Sequence, residues 1–431
     1  MRYPRWAAVC ITAALAAPLM AACTSSQPEG GGDGKTEIAL WTPQAGSPKV
    51  EVENMQRMID EFTEKNPQYS FTYKTYPFDS YATSVQGAAA AGQLPCMLSV
   101  DAPVAPNWAW AQYLQPLDLP ASVTDQLIPG AKGTYQDKIY SAGYWDAGLS
   151  IFARKSVLEK NGIRIPTLDK PWTGEEFDAA LETLKGKDGF KYPFSVGNPT
   201  GSGASYALSP YLWSFGGDLI DRSTHLSAKD KLNGPEAVKF GEWLQGLRAD
   251  GLTNPDAADG SLFAQGAVPL QWDGNWAAQD SIDKYGDDVV FLPPPDFGNG
   301  IKVGAGSFGY GASSSCTPEQ KKGVEAFLQD SLTTENIAKI STTQNVIPAS
   351  AEAAAKTTDY ASGGRFENLA KLEAEHSEIR PATPAFTVID NIFNKAVGDI
   401  FAGADVQKTL DQAVQEIDAN IAANDGYGFK K

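Results

Sequence analysis

Past residue 35 the apolar positions alternate between short period-two runs and longer stripes at three- and four-residue spacing. Glu37-Ile38-Ala39-Leu40-Trp41 reads as a strand, and after a Pro/Gly loop Val52, Met55, Ile59 and Phe62 mark one face of a helix that ends before Asn66-Pro67. Phe71 to Tyr76 alternates as a second strand, Tyr81 to Ala91 is an alanine-rich helix stopped by Gly92, and Met97 to Val100 suits a buried strand. Strand and helix in strict alternation predict a parallel α/β sheet.

The pattern resumes with Leu149, Ile151 and Ala153 as a strand and Ser156 to Asn161 as a short helix closed at Gly162. Further helices are predicted over Pro235 to Leu247 and Leu262 to Ala267, then strands over Val268 to Trp272 and Ser307 to Ser313. Val324, Phe327, Leu328 and Leu332 line one helix. Ile389, Phe393, Val397 and Ile400 line the next to last, and Leu410, Val414, Ile417 and Ile421 the last. No fixed-period repeat is visible, which argues against a solenoid or propeller.

The N-terminus is of another kind. Arg2 and Arg5 precede an apolar run from Ala7 to Met20, followed by Ala21-Ala22-Cys23. A bilayer needs ~20 apolar residues, so this is the layout of a secretory signal rather than a span. Small residues directly before a cysteine resemble the bacterial lipobox, with Met20 a slight departure from the usual Leu or Val. The resemblance implies removal of residues 1–22 and diacylation of Cys23, two chains being what makes anchoring stable. An ordinary secretory signal with an incidental cysteine is the alternative. Residues 23–34 are then a tether, because Thr24 to Gly34 is Ser/Gly-rich with nothing apolar to bury.

The remaining length exceeds what one core usually organises, so two domains are expected. The formal charge of −17 becomes −19 once Arg2 and Arg5 leave with the signal. Such acidity opposes nucleic-acid partners and, more weakly, anionic ligands. Cys96 and Cys316 are the cysteines left after Cys10 and Cys23, and export suggests that they form a disulfide; two free thiols are the alternative. His225 and His376, the two histidines of the chain, lie near no cysteine, so no zinc or iron site of the usual spacing is expected and no cofactor is implied.

Four landmarks, in order, resemble the extracellular solute-binding proteins of bacterial sugar ABC transporters, the family that includes maltose-binding protein. They are Trp41-Thr42-Pro43; Ala90-Ala91-Gly92-Gln93-Leu94-Pro95 running into Met97 to Asp101; Phe263 to Val268 running into Gly274-Asn275-Trp276; and Ile347-Pro348-Ala349 followed by Arg380-Pro381. Cys96 departs from the family's usual Asp, and Asn345 from a common Gly. The resemblance covers the chain from about Glu37 and implies an α/β, two-lobed periplasmic-binding-protein fold with a hinge and an interlobe cleft. The first lobe is expected over 35–146 plus 306–348 and the second over 147–305 plus 349–431, with glycines at the crossings absorbing the hinge motion. In the family fold the strands carrying Cys96 and Cys316 share a sheet.

The function implied is capture of an oligosaccharide by a monomer anchored through lipid to the outer face of the membrane, and delivery to the permease subunits, with no chemistry done. A sugar has an apolar face and a rim of hydroxyls, which call for flat aromatic rings and planar polar groups. Trp276, at the family's stacking position, leads the candidates, flanked by Asp273 and Asn275. Trp41 and Asp101 follow at strand ends, where open α/β sheets place ligands. Trp145 and Asp146 lie at the first crossing, Tyr206 and Trp213 in the second lobe, and Phe308 just past the return. Arg380 is placed either on ligand or against an acid, and Trp108 and Trp110 are assigned to packing. The rival from another class is a glycoside hydrolase using Asp101 and Asp273 as its paired carboxyls; a binder of peptide or polyamine on the same fold is the other alternative.

Overall fold

A computed structural model of the protein describes residues 34–44, 48–201, 203–256 and 261–429. The expected signal peptide, Cys23 and the tether up to residue 33 lie outside these residues. In chain order the strands are β1 (Thr36–Gln44), β2 (Tyr69–Pro77), β3 (Met97–Asp101), β4 (Lys132–Tyr135), β5 (Lys138–Ala142), β6 (Trp145–Asp146) and β7 (Leu149–Arg154). They continue with β8 (Phe194–Ser195), β9 (Leu270–Gly274), β10 (Val289–Leu292), β11 (Val303–Ala305), β12 (Phe308–Ala312), β13 (Ile347–Pro348) and β14 (Ser377–Ile379).

The first sheet has the order β2-β1-β3-β12-β5-β4. Its β2-β1-β3 end is parallel, as the alternation of strand and helix requires, and β12 returns antiparallel beside β3. Ile38 and Leu40 enter one core with Met55, Ile59 and Phe62 of the helix Pro48–Lys65 and with Val324, Phe327 and Leu328 of Pro318–Ser331. Leu98 and Val100 enter the opposite core with Tyr81, Val85 and Trp108. Each such side chain contributes ~1.5–3 kcal/mol on full burial. The β4–β5 hairpin has no counterpart in the sequence reading. Its two-residue turn places Gln136 and Asp137 at φ 47° and 59°, the primed conformation that a hairpin favours but that Asn-Gly usually advertises.

The second sheet has the order β10-β7-β9-β8. Leu149 and Ile151 face the core shared with the last two long helices, Phe386–Phe401 and Val406–Ala423, while Phe152 faces a separate cluster with Phe263, Phe291 and Phe366. Because β7 is covered on both faces, it reads as a near-continuous apolar run. Ala349 and Ala353, past the expected third crossing at residue 348, still pack in the core of the first sheet.

Between the sheets β6 pairs with β13 and β11 with β14. The glycines at the crossings are needed for different reasons. Gly306 takes φ +98°, whereas a Cβ on Gly148 would meet the Ile347 side chain at 2.5 Å. Asn345 closes the helix Thr334–Gln344 at φ 54°, the left-handed position that glycine fills most easily and asparagine next. Cys96 and Cys316 lie with Cα atoms 4.6 Å apart.

Gly130 touches both passages of the chain. Its carbonyl accepts from Ser307 N–H at 3.1 Å, and a Cβ there would fall 1.7 Å from Asp146 Oδ2 and 3.0 Å from Gly306 N. Gly130→Ala is therefore expected to destabilise the protein by ~1–3 kcal/mol, the usual range for forcing an extra carbon into a packed site. Urea unfolding with a lowered midpoint and an unchanged m-value is the expected readout, and an unshifted midpoint would contradict this packing.

Candidate functional site

The C-terminal ends of β1, β2 and β3 and the start of β12 form one edge of the first sheet. A cavity of about 30 Å³ lies there, lined by Thr42, Tyr73, Trp145, Phe308, Tyr310 and Gln344 among others. That is room for about one water molecule. From this edge a chain of contacts runs to the second sheet. Phe308 sits opposite Asp101 in the β12–β3 pairing. Asp101 Oδ1 accepts from Arg380 Nη2 at 3.1 Å, and the same nitrogen donates to Gly306 O at 3.2 Å. The Arg380 guanidinium lies 5.0 Å from the centre of the Tyr206 ring, and Tyr206 packs against Trp276 with centroids 6.1 Å apart. Trp276 folds back over Gly274, where a Cβ would overlap its ring at 2.0 Å.

The structure thus brings Trp276, Tyr206, Arg380, Asp101 and Phe308 into one contact chain. Trp145 lines the adjoining cavity. Asn275 and Asp146 serve beneath it. Asn275 is fully buried, accepts from Gly148 N–H at 3.2 Å and donates to Asn345 O and to Tyr360 Oη. Asp146 accepts from Ala147 N–H at 2.8 Å and Gly306 N–H at 3.2 Å. Both hold the crossings together and have their hydrogen-bonding capacity largely committed. Asp273 is half-buried, with its carboxylate on Gln271 Nε2 and the Gly274 N–H.

Two candidates stand elsewhere. Trp41 points from β1 to the face opposite Leu40, packs on Tyr76 at 4.8 Å and is covered by Lys74. Trp213 is buried, donates to Asp218 and lies under Arg222. Trp108 is buried as expected, but Trp110 is 42% exposed, edge-on to Tyr427. Aromatic residues at strand ends alternate faces, so a position near the edge does not decide which face a ring takes.

Acids crowd the buried centre. Burial pushes the Asp146 carboxyl up to about 7 against the hydrogen bonds from Ala147 and Gly306 and the charge of Arg380, which favour its ionised form. Burial, then the charge of Asp146, raises Glu373 well above the carboxylate range. Asp101 and Asp390 are also raised by burial, with Arg380 opposing. Glu373, on the helix Glu367–His376, was absent from the candidates; one of its oxygens is buried without a protein partner. Its signal was positional, since it falls four residues after Leu369 on the apolar stripe with Leu372.

The sequence profile of the family described as bacterial extracellular solute-binding protein matches residues 57–368. An uncharacterized ABC transporter extracellular-binding protein of Pyrococcus horikoshii is 24% identical over 242 residues, and the match spans 53% of each chain, about half the length of that relative. Among solved structures, the GacH receptor of Streptomyces glaucescens, described unliganded and with acarbose, superposes with a TM-score of 0.75 at 18% identity, covering 92% of this chain and 100% of that one. The maltose/maltodextrin-binding domain MalE of Bdellovibrio bacteriovorus, bound to maltotriose, gives 0.75 at 17%, covering 90% and 100%. A chitin oligosaccharide binding protein gives 0.75 at 20%, with the same coverage. These likenesses are of fold, and the fold is the two-lobed one.

The raised acids fix a pH dependence. Their folded pKa values lie above the ~4 of an unfolded carboxyl, so the folded state holds protons that the unfolded state has released. Stability is therefore greatest below about pH 4 and falls by ~1.4 kcal/mol per pH unit for each proton until the folded group itself ionises, at about 7 for Asp146. Thermal unfolding is expected to show a midpoint that falls from about pH 4.5 to about pH 7 and then levels off for Asp146. Glu373→Gln, which keeps shape and removes the charge, flattens the slope; an unaltered slope in the variant would place the titration elsewhere.

Proposed function

Because the chain belongs to the bacterial extracellular solute-binding protein family, we propose that it captures an oligosaccharide between two lobes and hands it unaltered to the permease of an ABC importer. The lobes are built on the two sheets and exchange chain at 146–147, at 305–306 and again beyond Pro348. The observation that carries the sugar reading is the contact chain from Trp276 through Tyr206, Arg380 and Asp101 to Phe308. It sets the rings of Trp276, Tyr206 and Phe308 beside the planar charged pair Arg380–Asp101 and draws on both lobes, which suits a ligand whose faces are C–H and whose rims are hydroxyl. The saccharides held by proteins of similar fold favour the same ligand class. Closure of the two lobes around the ligand is the mode of capture this reading implies.

The test is a thermal-shift screen of linear and cyclic oligosaccharides, since a ligand of the folded state alone raises the midpoint through RT ln(1 + [L]/Kd). The expected result is stabilisation by at least one saccharide, no release of reducing ends, and a loss of ~2 kcal/mol, or about thirtyfold in affinity, for Trp276→Ala. A panel with no stabilising sugar, or one degraded during the assay, would sink the reading.

Export completes the proposal. Cys23 is read as the diacylated first residue of a monomer held at the outer face of the cell membrane, and Cys96 with Cys316 as a disulfide, for which a Cα separation of 4.6 Å is suitable. Mass spectrometry of non-reduced material from the membrane fraction reads both. The expected spectrum shows an N-terminal peptide carrying acyl chains on Cys23 and a linked Cys96–Cys316 peptide pair. An unacylated Cys23, or alkylation of the two other thiols without reduction, would refute the corresponding half.

A further inference from the structure

Among the described residues, Phe78 is one of two large apolar side chains that stand out in the solvent, 44% exposed. It opens the helix Phe78–Ala90 directly after β2, behind Pro77 at φ −56°. A proline at that point fixes the backbone where the chain enters the helix. From β2 it reaches past the ends of β1 and β3 to meet Phe308 of β12 edge-on, with centroids 6.0 Å apart and planes at 80°. Neither phenylalanine belongs to any of the apolar clusters that hold the two sheets. A single exposed apolar residue needs no explanation. This one is the outward continuation of a ring that already lines the cavity, on the strand-end edge where α/β sheets bind ligands.

We propose that Phe78 is the outermost sugar platform of the site and discriminates in favour of longer saccharide chains. The proposal rests on the sugar reading given above and adds a direction to it. A short ligand held between Trp276 and the Arg380–Asp101 pair stops short of Phe78. A longer one continues past Phe308 and lays a further C–H face on the exposed ring. Because Phe78 already rests against Phe308, that added contact orders little of the protein, and gains in length are realised as affinity.

The experiment is calorimetric titration of the wild-type protein, Phe78→Ala and Phe78→Trp with two homologous series, maltose to maltoheptaose and chitobiose to chitohexaose. Circular dichroism of the exposed-site variants checks that they are folded. In the series that the wild type binds, its affinity is expected to rise with length. Phe78→Ala should lose about tenfold or more for the longest members and less than about twofold for the disaccharide, in keeping with the cost of removing one aromatic contact. Phe78→Trp should keep the length preference. Equal losses at every length, or none, would overturn this inference while leaving the sugar reading intact. A wild-type protein that binds neither series overturns the inference, and the sugar reading falls only if the wider saccharide panel is also negative.

Discussion

Asp146 has no exposure to solvent, and the N–H groups it accepts, from Ala147 and Gly306, belong to the two passages of the chain between the sheets. A lone carboxylate cannot be kept in such a place. It must be neutralised by a proton or a partner, and both are at hand in Glu373 and Arg380. Much else follows from this one position. Gly130 must lack a side chain to leave space for it. The segment around β14 must run close enough to deliver Arg380, and the helix Glu367–His376 must turn Glu373 inward. The C-terminal third of the chain is thereby bound to the junction and does not merely cover the second sheet.

The Arg380–Asp101 pair joins this centre to the candidate site. Buried ion pairs are weak evidence for stability, because desolvation offsets most of the attraction, but removing one partner leaves an uncompensated charge. Their effect here is geometric. Arg380 is held by Asp101 and Gly306 O while its flat face covers Tyr206, so a charged donor and an aromatic ring are presented together without further ordering. Asn275 and Asp146, which look from the sequence like groups for hydroxyls, are the supports that make this presentation rigid.

The alternation of strand and helix up to Asp101 and the family landmarks were legible in the chain. The return of β12 to the first sheet was legible only through the resemblance. Face selection was harder to read. Trp41 and Thr42 are neighbours at a strand end, yet Thr42 lines the cavity and Trp41 faces away from it, and period-two alternation alone does not say which side a ligand will use. The β4–β5 hairpin escaped because Gln136-Asp137 takes a turn conformation more familiar from glycine and asparagine. Glu373 escaped because an acid in a helix is ordinarily solvated, although its place on the apolar stripe marked it.

The position of β12 also bears on how the protein comes to be folded. Phe308 pairs with Asp101 across 207 residues of chain, and every pair in the β3–β12 ladder spans a similar distance. A chain delivered from its N-terminus presents β1, β2 and β3 as a finished parallel trio long before β12 emerges. Through that interval the edge of β3, with Leu98 and Val100 on one side, is open to any other strand it meets. Non-local pairing of this kind slows folding and lengthens exposure to misassembly. The second sheet must be synthesised while the first waits for its central partner, so the edge of β3 is the place where misassembly can start.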